Sequence, residues 1–158
     1  MNAALAFFAA AAASAAPAIA QAPEPTAVAS SAEVQALVQS MDREMKPGQI
    51  FAMKPLVRAG ISVASVELWK GPGKPALHPT DAEYAIVVAG TGTLVSGGTL
   101  VDANATNASL TEGSRIEGGT SRPLAPGDVI MVPAGVPHWF GVDGKLALLG
   151  IKLPQPKR

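Results

Sequence analysis

His78 and His138 are the only two imidazoles in a chain of 158 residues that contains no cysteine. Thiolate metal sites, cysteine nucleophiles and disulfides are therefore excluded, and any metal or acid–base chemistry falls to histidine and carboxylate. His78 precedes Glu83 by five residues, and Glu83 opens the apolar run 84–88. Residues two apart on a strand share a face, so Glu83, Ala85, Val87 and Ala89 are expected to point one way. A carboxylate aimed into a barrel interior requires a partner. His138 follows the apolar run 129–132 and a Pro133-Ala134-Gly135 turn, and it opens a strand on which His138, Phe140 and Val142 share a face. Each residue also has a plain structural reading. His138 serves equally as a core imidazole bonded to backbone, His78 as an exposed residue at a loop-to-strand join, and Glu83 as a solvated strand-edge charge. Asp81 is a turn residue or a second carboxylate beside Glu83, and Glu67 on the preceding strand could approach the same interior.

The spacing around these residues is more informative than the residues alone. Gly127, Pro133, Gly135 and His138 follow the order glycine, five residues, Pro-x-Gly, two residues, histidine. His78, Glu83 and Gly90 follow the order histidine, four residues, glutamate, six residues, glycine. In these two motifs the sequence resembles the cupin superfamily, over roughly residues 63–153. It departs from the family pattern at Ala76, which stands where metal-binding members have the first histidine of H-x-H, and at Val142, which replaces an asparagine. Gly71 also stands five residues before Ala76, where the pattern has six.

The resemblance implies an all-β fold, the cupin-type double-stranded β-helix or jelly-roll barrel, here with a short N-terminal helix. It further implies a divalent metal ion inside the barrel, held by His78, Glu83 and His138. Two imidazoles and a carboxylate suit Fe, Mn, Zn, Ni or Cu and leave positions for water or substrate. Ligation requires the three donor atoms to gather within about 4 Å of one another. The function so implied is a small exported metal-binding cupin, a small-molecule metalloenzyme using Lewis-acid or dioxygen chemistry. The alternative is a metal-free cupin that binds a small molecule without catalysis, and a structural or storage role is the third reading.

The elements that must position these residues are legible in outline. Ser30 and Glu33 stand in capping-box relation before Val34, Leu37, Val38, Met41 and Met45, and Pro47-Gly48 ends the run, which predicts a helix. Its apolar stripe packs on the next element or serves a homodimer interface. From Gln49 the period changes to short runs of Val, Ile, Leu and Thr between turn residues, which predicts seven or eight strands in a barrel over residues 49–153, with a tail at 154–158. The clearest strands are expected at 50–53, 61–69, 84–88, 92–95, 129–132, 138–142 and 146–153. Residues 101–120 have little periodicity and are expected to form a long loop or loose hairpin.

Residues 1–23 carry no charge and are rich in alanine, and Ala18 and Ala20 form an A-x-A site. This predicts a signal peptide at 1–20, a linker and helix at 21–48, export to the periplasm or medium, and no stable membrane span after cleavage. Twelve basic residues balance twelve acidic ones, which gives no field for neutralising phosphates, so a small molecule rather than nucleic acid is the expected partner.

Overall fold

A computed structural model describes residues 26–155, and the predicted signal peptide lies outside the described residues. Ser30 caps the helix α1 (Ser31–Glu44): its hydroxyl accepts from the Glu33 amide, and the Glu33 carboxylate accepts from the Ser30 amide. This reciprocal pair satisfies two of the amide donors that a helix start leaves without intrahelical partners. Val38, Met41 and Met45 are buried against Val66, Leu68 and Ala147, so the apolar stripe of the helix packs on the chain's own sheet.

The rest is antiparallel sheet. β1 (Phe51–Ala59) and β2 (Ser62–Trp69) form a hairpin, and the two-residue β3 (Ala76–Leu77) leads into the long β4 (Asp81–Ser96). Four short strands follow, β5 (Thr99–Val101), β6 (Asn104–Asn107), β7 (Leu110–Glu112) and β8 (Arg115–Glu117). β9 (Thr120–Leu124), β10 (Val129–Val132) and the long β11 (His138–Pro154) complete the described chain. The main sheet runs β1-β2-β11-β3-β7-β6, and β4 lies along β11 while pairing with β9 and β10. The result is a jelly-roll barrel with one N-terminal helix, the fold that the resemblance implies.

β4 and β11 are its spine, paired from His138 opposite Ser96 to Pro154 opposite Asp81. Each combines two of the expected strands. The break expected near Gly90 is a bulge instead: Gly90 has φ +78°, and a Cβ there would lie 1.9 Å from the Lys145 carbonyl oxygen, so only glycine lets the strands stay in contact. The register passes from Ala89–Ala147 to Val87–Leu148 and skips Val88. The face expected to run from Glu83 to Ala89 therefore ends at Val87. Ala85 and Val87 join the barrel core, whereas Val88 and Ala89 pack on the helix side.

Residues 101–120 hold the hairpin that is one of the two expectations for them, but in a more regular form. They build two nested ladders, β5 with β8 and β6 with β7, and β7 continues onto β3. All four residues of β6 are exposed, so backbone pairing rather than a buried apolar face holds this hairpin, and the hydrophobic pattern carries no trace of it.

Candidate metal centre

Three elements bring the chemistry together. Glu83 sits on β4 between Val132 of β10 and Lys152 of β11, a central position that buries it to 3% exposure. His138 is the first residue of β11 and faces Ala76 of β3 directly. His78 follows β3, and its carbonyl accepts from the Gly135 amide at 2.8 Å, so the Pro133-Ala134-Gly135 turn fixes the backbone of both histidine segments. Gly135 has φ +78°, which the turn requires.

The three side chains converge. Glu83 Oε2 lies 3.1 Å from His138 Nε2 and 3.4 Å from His78 Nε2, and the three donor atoms all lie within 4.8 Å of one another. Both carboxylate contacts fall inside the expected 4 Å. His78 Nδ1 bonds the Ser109 carbonyl at 2.9 Å, and His138 Nδ1 bonds the Val136 carbonyl at 3.1 Å. A carbonyl only accepts, so each Nδ1 carries the hydrogen and each Nε2 is turned toward Glu83. Two imidazole Nε2 atoms and a carboxylate oxygen thus crowd one point, and with neutral imidazoles all three are acceptors, so a proton, an ammonium or a metal ion must stand among them.

Part of that charge comes from a residue not anticipated at the site. Lys152, paired with Glu83 across the β4–β11 ladder, places Nζ 2.5 Å from Glu83 Oε2 and 2.7 Å from His78 Nε2. Burial alone would raise the Glu83 carboxyl, but the hydrogen bonds that His138 and His78 donate from Nε2 when their imidazoles are protonated, together with the Lys152 charge, outweigh burial and hold it far below the usual carboxylate range. Glu67 on β2 behaves oppositely. Burial first, then the negative charge of Glu83, raises its carboxyl, and the Lys152 charge and the Trp69 indole hydrogen bond at 3.3 Å offset only part of this. Both carboxyls line a cavity of about 550 Å³ walled by Phe51, Trp69, Leu110 and Phe140.

The family profile described as Cupin matches residues 52–152. The chain belongs to the cupin family. Among solved structures, this cupin resembles the hydroquinone 1,2-dioxygenase PnpCD, solved in complex with Cd2+ and 4-hydroxybenzonitrile: the TM-score is 0.54 at 18% identity, covering 75% of this chain and 72% of that one. It also resembles the DMSP lyase DddQ from Ruegeria pomeroyi DSS-3, with a TM-score of 0.53 at 19% identity over 87% of this chain and 70% of that one. The FeII form of HppE aligns with a TM-score of 0.50 at 18% identity over 66% of this chain and 52% of that one. At these identities the likeness establishes the fold. No curated protein matches the sequence significantly.

The structure of this cupin thus gathers all three residues singled out in the sequence, and it buries Glu67 beside them. Asp81 starts β4, where its carboxylate accepts from the Thr80 hydroxyl at 2.7 Å. A signal for Lys152 was available, because its position follows from parity. The face of His138, Phe140 and Val142 resumes after the irregularity at 143–146 as Leu146, Leu148, Gly150 and Lys152, which puts a lysine on an interior face. Hidden in the sequence was the role of 101–120, whose hairpin supplies the Ser109 carbonyl that orients His78.

Proposed function

We propose that this cupin is an exported protein that binds a divalent metal ion through His78 Nε2, His138 Nε2 and a Glu83 oxygen, and that it acts on a small molecule held in the adjoining cavity. The observation that carries the reading is the convergence of three ligand-type atoms whose imidazoles are pre-oriented by backbone carbonyls, the arrangement that fixes the tautomer of a metal-binding histidine. A bound metal with three protein ligands would supply Lewis acidity and open positions for substrate. The donor set suits Fe, Mn, Zn, Ni or Cu alike. Proteins of similar fold solved with Cd2+ or as an FeII form support the reading.

The chain's own groups have separable tasks. Phe51, Trp69, Leu110 and Phe140 give the cavity an apolar lining. Glu67, held toward its neutral form against the ionised Glu83, is placed to donate a proton to a bound molecule. Export rests on the uncharged leader with its A-x-A site, and no helix among the described residues is long and apolar enough to cross a membrane.

A second reading, a metal-free small-molecule-binding cupin, is favoured by Lys152, whose ammonium already compensates Glu83. Elemental analysis of the mature protein, purified without chelator, separates the two. One equivalent of a transition metal, lost in His138→Ala, supports the metal reading. A chain that carries no metal and takes up none of Mn2+, Fe2+, Ni2+, Cu2+ or Zn2+ on titration supports the second.

A further inference from the structure

Resting on the metal reading, one contact shapes what the centre will accept. Lys152 Nζ stands 2.5 Å from Glu83 Oε2 and 2.7 Å from His78 Nε2, two of the three atoms that would ligate. Ligand bonds of about 2.0–2.2 Å would put a metal ion against those same atoms. An ammonium nitrogen has no lone pair to offer, so its contact with His78 Nε2 uses the lone pair a metal would need. Two cations in one partly buried pocket also repel strongly.

We propose that the centre holds one cation at a time: the Lys152 ammonium is its built-in occupant, and a metal ion binds only as that ammonium withdraws. The two sides of the contact are unequally mobile. Glu83 is 3% exposed and clamped between β10 and β11, and His78 is tied to Ser109. The Lys152 side chain is 41% exposed, near the end of the long strand, on a flexible four-carbon stem. The lysine is therefore the partner that moves. In the metal-free protein it keeps the buried carboxylate compensated, so that the barrel does not depend on metal for its fold, and the same contact lowers apparent metal affinity. With Ala76 in place of a third imidazole, Lys152 thereby sets how readily this cupin loads.

The test titrates metal-free wild type, Lys152→Met and Lys152→Gln with Zn2+ by calorimetry. Met keeps the length of the stem, and Gln keeps amide hydrogens without the charge. The expected result is that both variants bind at least about tenfold tighter than wild type, the scale of a lost charge-assisted hydrogen bond. Binding seen only in the variants supports the proposal more strongly still. Equal affinities overturn it while leaving the metal reading intact, and weaker binding by both variants overturns it by making Lys152 a ligand. No binding by any of the three overturns the metal reading itself. A measurement on wild type alone guards against variants that fail to fold: acylation of Lys152 by an N-hydroxysuccinimide ester, followed by mass spectrometry, should quicken when Zn2+ saturates the protein, and an unchanged or slower rate overturns the proposal.

Discussion

Glu83 and Glu67 are buried on neighbouring parts of one barrel interior, at 3% and 8% exposure, and their surroundings drive them in opposite directions. Glu83 meets two imidazoles and an ammonium, and is held ionised. Glu67 meets apolar walls, one indole N–H at 3.3 Å and the repulsion of Glu83, and is held toward the neutral acid. Gly150 is part of the reason Glu67 fits, since a Cβ there would come within 3.3 Å of its carboxyl oxygen. Burial penalises charge at both places, so the partners decide the outcome. A barrel wall presents one group ready to hold a cation and another ready to give a proton because only Glu83 is in direct contact with the ammonium and the imidazoles, whereas Glu67 feels their charge from farther away and cannot offset its burial.

The largest expected effect is on Glu83. Glu83→Gln removes the anionic ligand and should weaken metal binding at least about a hundredfold in a calorimetric titration, while Glu67→Gln should leave it within a few-fold. Similar losses in both variants would erase the distinction between the two carboxyls. Ala76→His comes next. Ala76 lies directly opposite His138 across the β3–β11 ladder, where facing Cβ atoms are about 4.5–5.5 Å apart, so a new imidazole reaches the centre and should tighten Zn2+ binding about tenfold.

Stability against pH sharpens the comparison further. A carboxyl raised in the folded state destabilises the fold once the unfolded chain ionises, so the Glu67 contribution declines as pH rises above its ordinary 4.5 toward the raised folded value. Glu83 has the opposite sign: its lowered folded value gives stability that is full above 4.5 and is lost as pH falls below it. Urea denaturation at pH 4 and pH 7 should show Glu67→Gln gaining on wild type at the higher pH, by on the order of 1 kcal/mol. Glu83→Gln should lose ground there by somewhat under about 1 kcal/mol, since pH 4 lies only just below the ordinary 4.5. The smallest effect is expected outside the barrel. Asp42 of α1 is lowered to about 2 by hydrogen bonds to Lys145 and Lys70, each at 2.7 Å. Asp42→Asn should cost no more than about 1 kcal/mol at neutral pH in thermal denaturation, and the difference should fade as pH falls from 3.8, where the unfolded chain takes up the proton, to about 2, where the folded carboxyl does.

The capping box at Ser30 and Glu33, the switch of period near Pro47-Gly48 and the spacing of His78, Glu83, Gly135 and His138 are local patterns, and for that reason they were legible in the amino-acid sequence. Together they determined the helix, the barrel and the three residues that meet. Tertiary structure alone decided the rest. The bulge at Val88 turned Ala89 away from the face of Glu83, since a skipped residue reverses every later side chain. The hairpin within 101–120 formed from backbone pairing that no hydrophobic period encodes, and it brought the Ser109 carbonyl to His78. Lys152 is 69 residues from Glu83 in the chain, and only the register of β4 on β11 makes them neighbours and sets an ammonium against the lone pairs of the centre. Sequence spacing specifies which faces side chains occupy within an element, whereas electrostatics at a site depends on distances between elements, and those exist only once the sheets have paired.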